Sequence, residues 1–391
     1  MMPFFMENYA NPASVYGPAR KAKAAVTQAR RRVAALIGAK PEEIYFTSGG
    51  SESDNWAIRG VAETGQPEQS ETGQGQKYAV DCGGGETGQS EQNRTGHMIT
   101  TRIEHHAVLH TCEALERKGW DITYLTPDQA GVVAPEDVER AIRPDTRLIS
   151  VMFANNEIGT IQKVREIGQI AHNRGILFHT DAVQAVGHVP VRVDEMHIDL
   201  LSASAHKFHG PKGIGFLYIR KGTAMEPLIF GGAQERSRRG GTHHVPGIVG
   251  MGKAAELAME KMGERMRRET ELRDRLITDV LREIPDAILN GSRTGRLPNN
   301  VNICIPGVEG ESVLILLDAH DICASSGSAC TSGSLEPSHV LRAIGLTDDI
   351  ARGSLRLTLS HETTEEEIGE TVRVLKEIVG RLKQATDYSQ Q

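Results

Sequence analysis

Ser202-Ala203-Ser204-Ala205-His206-Lys207-Phe208-His209-Gly210-Pro211-Lys212-Gly213 decides the reading of this chain. A lysine follows a strand that ends in small hydroxyl residues, and a glycine turn comes directly after it. That is the placement of a lysine holding pyridoxal phosphate as a Schiff base. If Lys207 has that role, the fold must also supply a carboxylate for the pyridine nitrogen, a group to stack on the ring and an anion cradle for the phosphate.

Candidates for all three lie upstream. Asp181, just after the apolar strand Ile176 to His179, is the natural partner for a pyridine nitrogen, although an isolated aspartate there also reads as a loop or helix cap. Three residues on, Gln184 can donate to the ring oxygen. The run Thr47-Ser48-Gly49-Gly50-Ser51-Glu52-Ser53-Asp54-Asn55 leads from a strand into a helical pattern, where backbone N–H groups surround an anion at the helix start. Ser204, His206 and the later Arg239-Gly240-Gly241-Thr242 strengthen that cradle. Glu104-His105-His106 follows the apolar segment Met98 to Ile103 and offers His105 as an imidazole over the ring, against the plainer reading of a surface or capping histidine. No histidine pair has H-E-x-x-H or close Cys-His spacing, so no metal is expected.

Outward from these motifs, apolar segments alternate with helical patterns. Ile44-Phe46, Leu148-Phe153, Ile176-His179 and Gly215-Ile219 read as strands and Lys163 to Arg174 as a helix, which predicts an α/β fold with a mostly parallel sheet. Ligands in such sheets bind beyond the carboxyl ends of the strands. A long charged helix from about Ile248 to Glu283 links this large domain, residues 1–261, to a smaller carboxyl-terminal domain, 262–391, which ends in an amphipathic helix from about Thr364 to Leu382. Residues 61–96 are rich in Gly, Gln, Glu, Ser and Thr, repeat Glu-Thr-Gly-Gln at Glu63, Glu71 and Glu86, and read as a disordered surface insertion carrying Cys82.

The chain has 391 residues, 39% hydrophobic and 24% charged, enough for two domains with real cores. A formal net charge of -7 argues against nucleic acid and anionic membrane surfaces as partners. No apolar run approaches the roughly 18 residues of a spanning helix, no cationic leader opens the chain, and a cytoplasmic location is expected. The five cysteines are odd in number and widely spread, as reduced thiols are. Cys330 sits among small residues in Cys323-Ala324-Ser325-Ser326-Gly327-Ser328-Ala329-Cys330-Thr331-Ser332-Gly333, a loop able to carry a nucleophilic thiol to a site. Cys323 and Cys304 read as small buried hydrophobes. Arg356, within the strand-like Gly353-Ser354-Leu355-Arg356-Leu357-Thr358, is the candidate clamp for a substrate carboxylate, with a plain surface arginine as the alternative.

Together these residues resemble the cysteine desulfurases of the NifS and IscS type, pyridoxal phosphate enzymes of the aspartate aminotransferase fold (fold type I). The resemblance runs from Asn11-Pro12-Ala13-Ser14 to the end apart from residues 61–96. It is carried by Thr47-Ser48-Gly49, Glu104-His105, Asn155-Asn156-Glu157-Ile158-Gly159, His206-Lys207, Gly210-Pro211-Lys212-Gly213 and Ser325-Ser326-Gly327-Ser328-Ala329-Cys330. It implies that Lys207 carries the cofactor, His105 stacks on it, Asp181 meets its nitrogen, and Asn156 and Gln184 meet its ring oxygen. Gly50, Ser51, Ser204 and His206 would hold the phosphate, with Thr242 supplied by the other subunit of a homodimer. Asn11, Asn156 and Arg356 would hold L-cysteine, and Cys330 would take its sulfur as a persulfide for an iron–sulfur scaffold protein, leaving L-alanine.

Members of that family begin with a further short strand, and Met1-Met2-Pro3-Phe4-Phe5 looks like the interior of the family's first helix, so the resemblance also implies exposed apolar surface and the loss of part of the substrate pocket. Two other readings remain open on the residues: a selenocysteine or other amino-acid lyase on the same fold, and an inactive chain that still dimerises and binds a scaffold.

Overall fold

The computed structural model describes residues 1–64, 96–327 and 337–389; Cys82 and Cys330, and most of the expected insertion, lie outside them. A seven-stranded sheet organises the amino-terminal two thirds. Its strands are β1 (Ile44–Thr47), β2 (His97–Thr101), β3 (Asp121–Leu125), β4 (Thr146–Ser150), β5 (Leu177–Asp181), β6 (Leu200–Ser204) and β7 (Gly215–Ile219), in the spatial order β1-β7-β6-β5-β4-β2-β3. The β3-β2-β4-β5-β6 run is parallel, whereas β7 is antiparallel to both β6 and β1. Strands covered on both faces need no polar alternation, and β2, β6 and β7 are buried at every position.

Helices cover the faces. They are α1 (Met2–Met6), α2 (Ala19–Ile37), α3 (Gly50–Glu63), α4 (His106–Glu116), α5 (Pro135–Ala141), α6 (Val164–Asn173), the single turn α7 (Gln234–Ser237) and α8 (Val245–Glu283). In α2 the buried Ala22, Val26, Ala29 and Val33 recur at helical spacing, and the helix stops at Gly38, whose φ of +70° closes it with bonds to Ala34 and Ala35. The expected insertion starts too early in the sequence reading. Val61 and Ala62 belong to α3 and are buried at 2% and 0% exposure, because the helix's apolar face continues past the point where the polar composition sets in.

The carboxyl-terminal part has a three-stranded antiparallel sheet, β10-β9-β8, made of β8 (Ile288–Leu289), β9 (Asn300–Cys304) and β10 (Ser354–Thr358). It packs with α9 (Gly310–Asp318) and α12 (Glu365–Ser389), while the short α10 (His339–Ala343) and α11 (Asp348–Arg352) precede β10. The 39-residue α8 belongs to both parts: Val245 to Ala258 bury into the large core, and Leu272 to Val280 into the core built on β9 and β10. Cys304 is buried as expected, but Cys323 is exposed, because it lies past α9 in the connection to Ser325 rather than under the helix.

Candidate active site

Five of the parallel strands end on one side of the sheet, and the chemistry-bearing residues are found just beyond those ends, as the crevice rule for such sheets requires. Asp181 closes β5 and Ser204 closes β6. His105 and Asn156 follow β2 and β4, and Gly50 and Ser51 open α3 beyond β1. With Asp54, Met152, Val183, Gln184, His206, Lys207 and Arg356 they line one cavity of about 200 Å³. Asn11 and Thr242 are not among the lining residues: both are exposed, and Asn11 Oδ1 accepts the amide of Ala13 at 3.0 Å.

Lys207 sits in a single 3-10 turn, Ala205–Phe208, which His209 ends in the left-handed region at φ +66°. Gly210 closes the turn, its amide donating to Ala205 at 2.8 Å, and a Cβ there would lie 2.9 Å from the Ala205 oxygen. The carbonyl of Lys207 is held 2.7 Å from His188 Nε2. A carbonyl only accepts, so Nε2 is the protonated nitrogen of that ring.

The start of α3 offers backbone donors without a side-chain cap: Gly49 at the N-cap makes none. A Cβ on Gly50 would meet Val183 Cγ2 at 2.6 Å, so only glycine lets the helix end approach so closely. Ser204 Oγ and His206 Nδ1, 2.9 Å apart, also line this cavity. Glu52 in the first turn is half-buried, which raises its pKa, yet its bonds to Arg239 Nε at 2.9 Å and Nη2 at 3.1 Å and to Ser48 bring it below the usual value. That pair anchors the Arg239-Gly240-Gly241-Thr242 stretch to the helix.

On the opposite wall, His105 is the N-cap of α4, and its Nδ1 accepts the Ala107 amide at 3.1 Å, leaving Nε2 to carry the hydrogen of the neutral ring. Burial, and then the charge of Lys207, lower its pKa. Burial pushes Asp181 up to about 6, against the Val183 amide that donates to its Oδ1 at 2.9 Å and the nearby Lys207 charge. Arg356 on β10 donates through Nη1 to the Asn156 carbonyl at 3.0 Å and so reaches from the small sheet into the cavity.

This set suits pyridoxal phosphate: an amine, an acid with a raised pKa, a ring beside them, and a helix start that a Cβ would close. Sequence reasoning missed Asp54, Met152 and Val183 as lining residues. Asp54 was open to discovery, because it stands four residues after Gly50 and so shares its helix face.

The chain matches the class-V aminotransferase family over residues 1–72 and 86–370. Among curated relatives, a cysteine desulfurase IscS of Methanosarcina thermophila is 51% identical over 383 residues, which is 98% of this chain and 88% of the relative. A second, from Dictyoglomus turgidum, is 49% identical over 391 residues, covering 100% and 93%. Among solved structures, a NifS-like protein superposes with a TM-score of 0.84 at 37% identity, covering 97% of this chain and 94% of that one. SspA in complex with cysteine gives 0.75 at 38%, covering 93% and 94%. The chain belongs to the class-V aminotransferase family and, within it, to the cysteine desulfurases.

Proposed function

We propose that this chain releases sulfur from L-cysteine with pyridoxal phosphate bound through Lys207, leaving L-alanine and a persulfide on Cys330. The observation that carries the reading is the meeting of Lys207, Asp181, His105 and Arg356 on one cavity. Bound there, the cofactor supplies an electron sink for the substrate's α-carbon. Gly50, Ser51, Ser204 and His206 hold its phosphate, Asn156 and Gln184 its ring oxygen, and Asp181 its ring nitrogen. His105 covers the ring.

The chain's own residues then do the following. Arg356, with Asn156 and Asn11, fixes the substrate carboxylate; Lys207 carries the α-proton between carbons. The thiolate of Cys330 attacks the substrate sulfur, the carbon–sulfur bond breaks, and the atoms of cysteine and one thiol become alanine and one persulfide. That persulfide passes to a thiol of an acceptor, an iron–sulfur scaffold protein in this reading.

We further read the enzyme as a cytoplasmic homodimer whose catalytic cysteine belongs to a small domain, residues 262–391, beside a large domain, 1–261. Two observations support the dimer. Thr242 is exposed and outside its own cavity, as a residue lent to a second copy would be. Tyr9, Val15 and Phe230 are 76%, 97% and 79% exposed, apolar surface that a second copy would cover. No helix among the described residues is long and apolar enough to cross a membrane.

The test is sulfide and alanine release from L-cysteine with a reductant, beside the visible band of the bound cofactor. Equal yields lost in Cys330→Ala are expected. A band with no turnover, or activity on selenocysteine alone in that variant, would replace this reading with an inactive or a selenocysteine-directed one.

A further inference from the structure

The cavity has a second acid whose role the reading above does not use. Asp54, on the second turn of α3, lines it beside Asp181 and is 1% exposed. Its Oδ1 has no hydrogen-bond partner among the described residues. His179 Nε2 stands 3.7 Å from that oxygen but brings no charge. The His179 ring is fully buried, which lowers its pKa to about 3, and its nitrogens are engaged by Ser202 Oγ at 3.0 Å and Ser150 Oγ at 2.8 Å.

The titratable and polar groups around Asp54 are therefore Asp181 and His179 from β5, Ser202 from β6, Glu104 from the turn after β2, and Lys207 across the cavity. Three buried carboxyls, Asp54, Glu104 and Asp181, lie near one another while Lys207 stands on the exposed side of the cavity, and like charges so placed cannot all ionise. Between the two acids that line the cavity, the geometry is unequal. Asp181 Oδ1 accepts a backbone amide at 2.9 Å, and the Lys207 charge favours its ionised form, whereas Asp54 Oδ1 accepts nothing and the Ser202 hydroxyl is the one hydrogen-bond donor among the described residues that favours an ionised Asp54.

We propose that Asp54 and Asp181 form a carboxyl pair sharing one proton, held on Asp54 while Asp181 is ionised, so that the cofactor's ring nitrogen meets a single negative charge. The inference rests on the reading of this cavity as a pyridoxal phosphate site. Asp54 is a positioning residue acting through Asp181: it keeps a second carboxylate from over-stabilising the protonated nitrogen. If Asp181 is replaced by an amide, the like charge that keeps Asp54 neutral is gone. Asp54 then gives its proton to solvent and supplies the missing charge.

The pattern is readable in the full chain loaded with pyridoxal phosphate, by following the pH midpoint of its visible band and its dissociation constant. Asp54→Asn leaves the midpoint within about 0.3 pH unit, since an amide replaces a neutral acid. Asp181→Asn weakens cofactor binding by about tenfold, and the double variant by at least another tenfold, the size expected for losing the last nearby charge. A midpoint shift of roughly one unit in Asp54→Asn alone would show Asp54 ionised and overturn the proposal. So would a double variant no weaker than Asp181→Asn.

A second measurement does not need the cofactor. The infrared spectrum of the cofactor-free chain should carry protonated-carboxyl absorption from Glu104 and Asp54, of which one component is lost in Asp54→Asn, and an unchanged spectrum in that variant overturns the pair. A wild-type chain that folds but develops no visible band with pyridoxal phosphate sinks instead the cofactor reading on which the pair rests.

Discussion

Ser325 and Arg356 face each other across an antiparallel bridge, the Ser325 amide donating to Arg356 at 3.0 Å and the Arg356 amide returning a bond of 2.6 Å. The backbone that leads toward Cys330 is thus tied to the residue proposed to clamp the substrate. Glu157 joins the other side. Its Oε2 accepts from Ser338 Oγ at 2.5 Å, and a Cβ on Gly327, at φ +56°, would sit 3.0 Å from it. The described chain on both sides of residues 328–336 therefore passes close to one carboxylate, which Ser338 bonds directly.

Ser325→Pro removes one donor of that bridge and replaces no cavity side chain. The visible band of the cofactor should persist, while kcat/KM for cysteine falls about tenfold, the value of roughly one such bond to a positioned arginine. Steady-state sulfide release checks it; an unaltered KM and kcat would mean that the bridge does not position the clamp.

His105→Phe keeps an aromatic ring beside the cofactor but removes the nitrogen that caps α4. Loss of the cap costs about 1 kcal/mol of stability. Turnover should fall by about 10²- to 10⁴-fold if the imidazole moves a proton. Single-turnover kinetics at matched cofactor loading separates the two effects, and a loss below threefold would leave His105 with stacking alone.

Glu235 holds the loop before Thr242. It is 5% exposed, has a left-handed φ of +45°, and accepts from Arg30 at 2.6 and 2.7 Å, from the Phe46 amide at 3.0 Å and from His243 at 2.6 Å. Burial raises its pKa, but the bonds from His243 and Arg30 win and bring it down to about 2. A depressed carboxylate stabilises above its unfolded value near 4.5 and loses that contribution as pH falls toward 2, here about 3 kcal/mol. Glu235→Gln should flatten the acid limb of the stability curve and lower stability at pH 7 by about 3 kcal/mol, because Arg30 stays buried without its charge partner. Denaturant unfolding between pH 2 and 7 reads both.

Glu104 has the opposite sign. Burial pushes it up to about 8, although Met152 N and Thr101 Oγ1 donate to its Oε1 at 2.9 and 2.8 Å. Folding must take up a proton here between pH 4.5 and 8, so wild-type stability falls across that window and levels off above it. Glu104→Gln, already neutral, should gain on wild type through the window and hold the gain above pH 8. Parallel slopes for the two proteins would show Glu104 ionised in the folded state.

The strand-end motifs were legible because their partners lie within a few residues: Lys207 with its glycine turn, Asp181 at the close of a strand, Gly50 at the start of a helix. The structure brings Arg356 to the same cavity from the small sheet, on the short strand read for it. Glu235 was not legible, since its partner Arg30 stands 205 positions away and nothing local marks a buried acid in a left-handed turn. Cys323 misled for a related reason. Its apolar neighbours Leu314 to Leu317 predict burial, yet it lies beyond the end of α9, in an exposed connection.

The unbroken run of α8 through both cores has a mechanical consequence. A rod of 39 residues, about 58 Å at helical rise, cannot be loosened at one end without fraying the packing at the other. Melting of the two halves should therefore be a shared event, seen as one calorimetric transition, and whatever steadies the pocket at one end will also raise the temperature at which the far sheet comes apart.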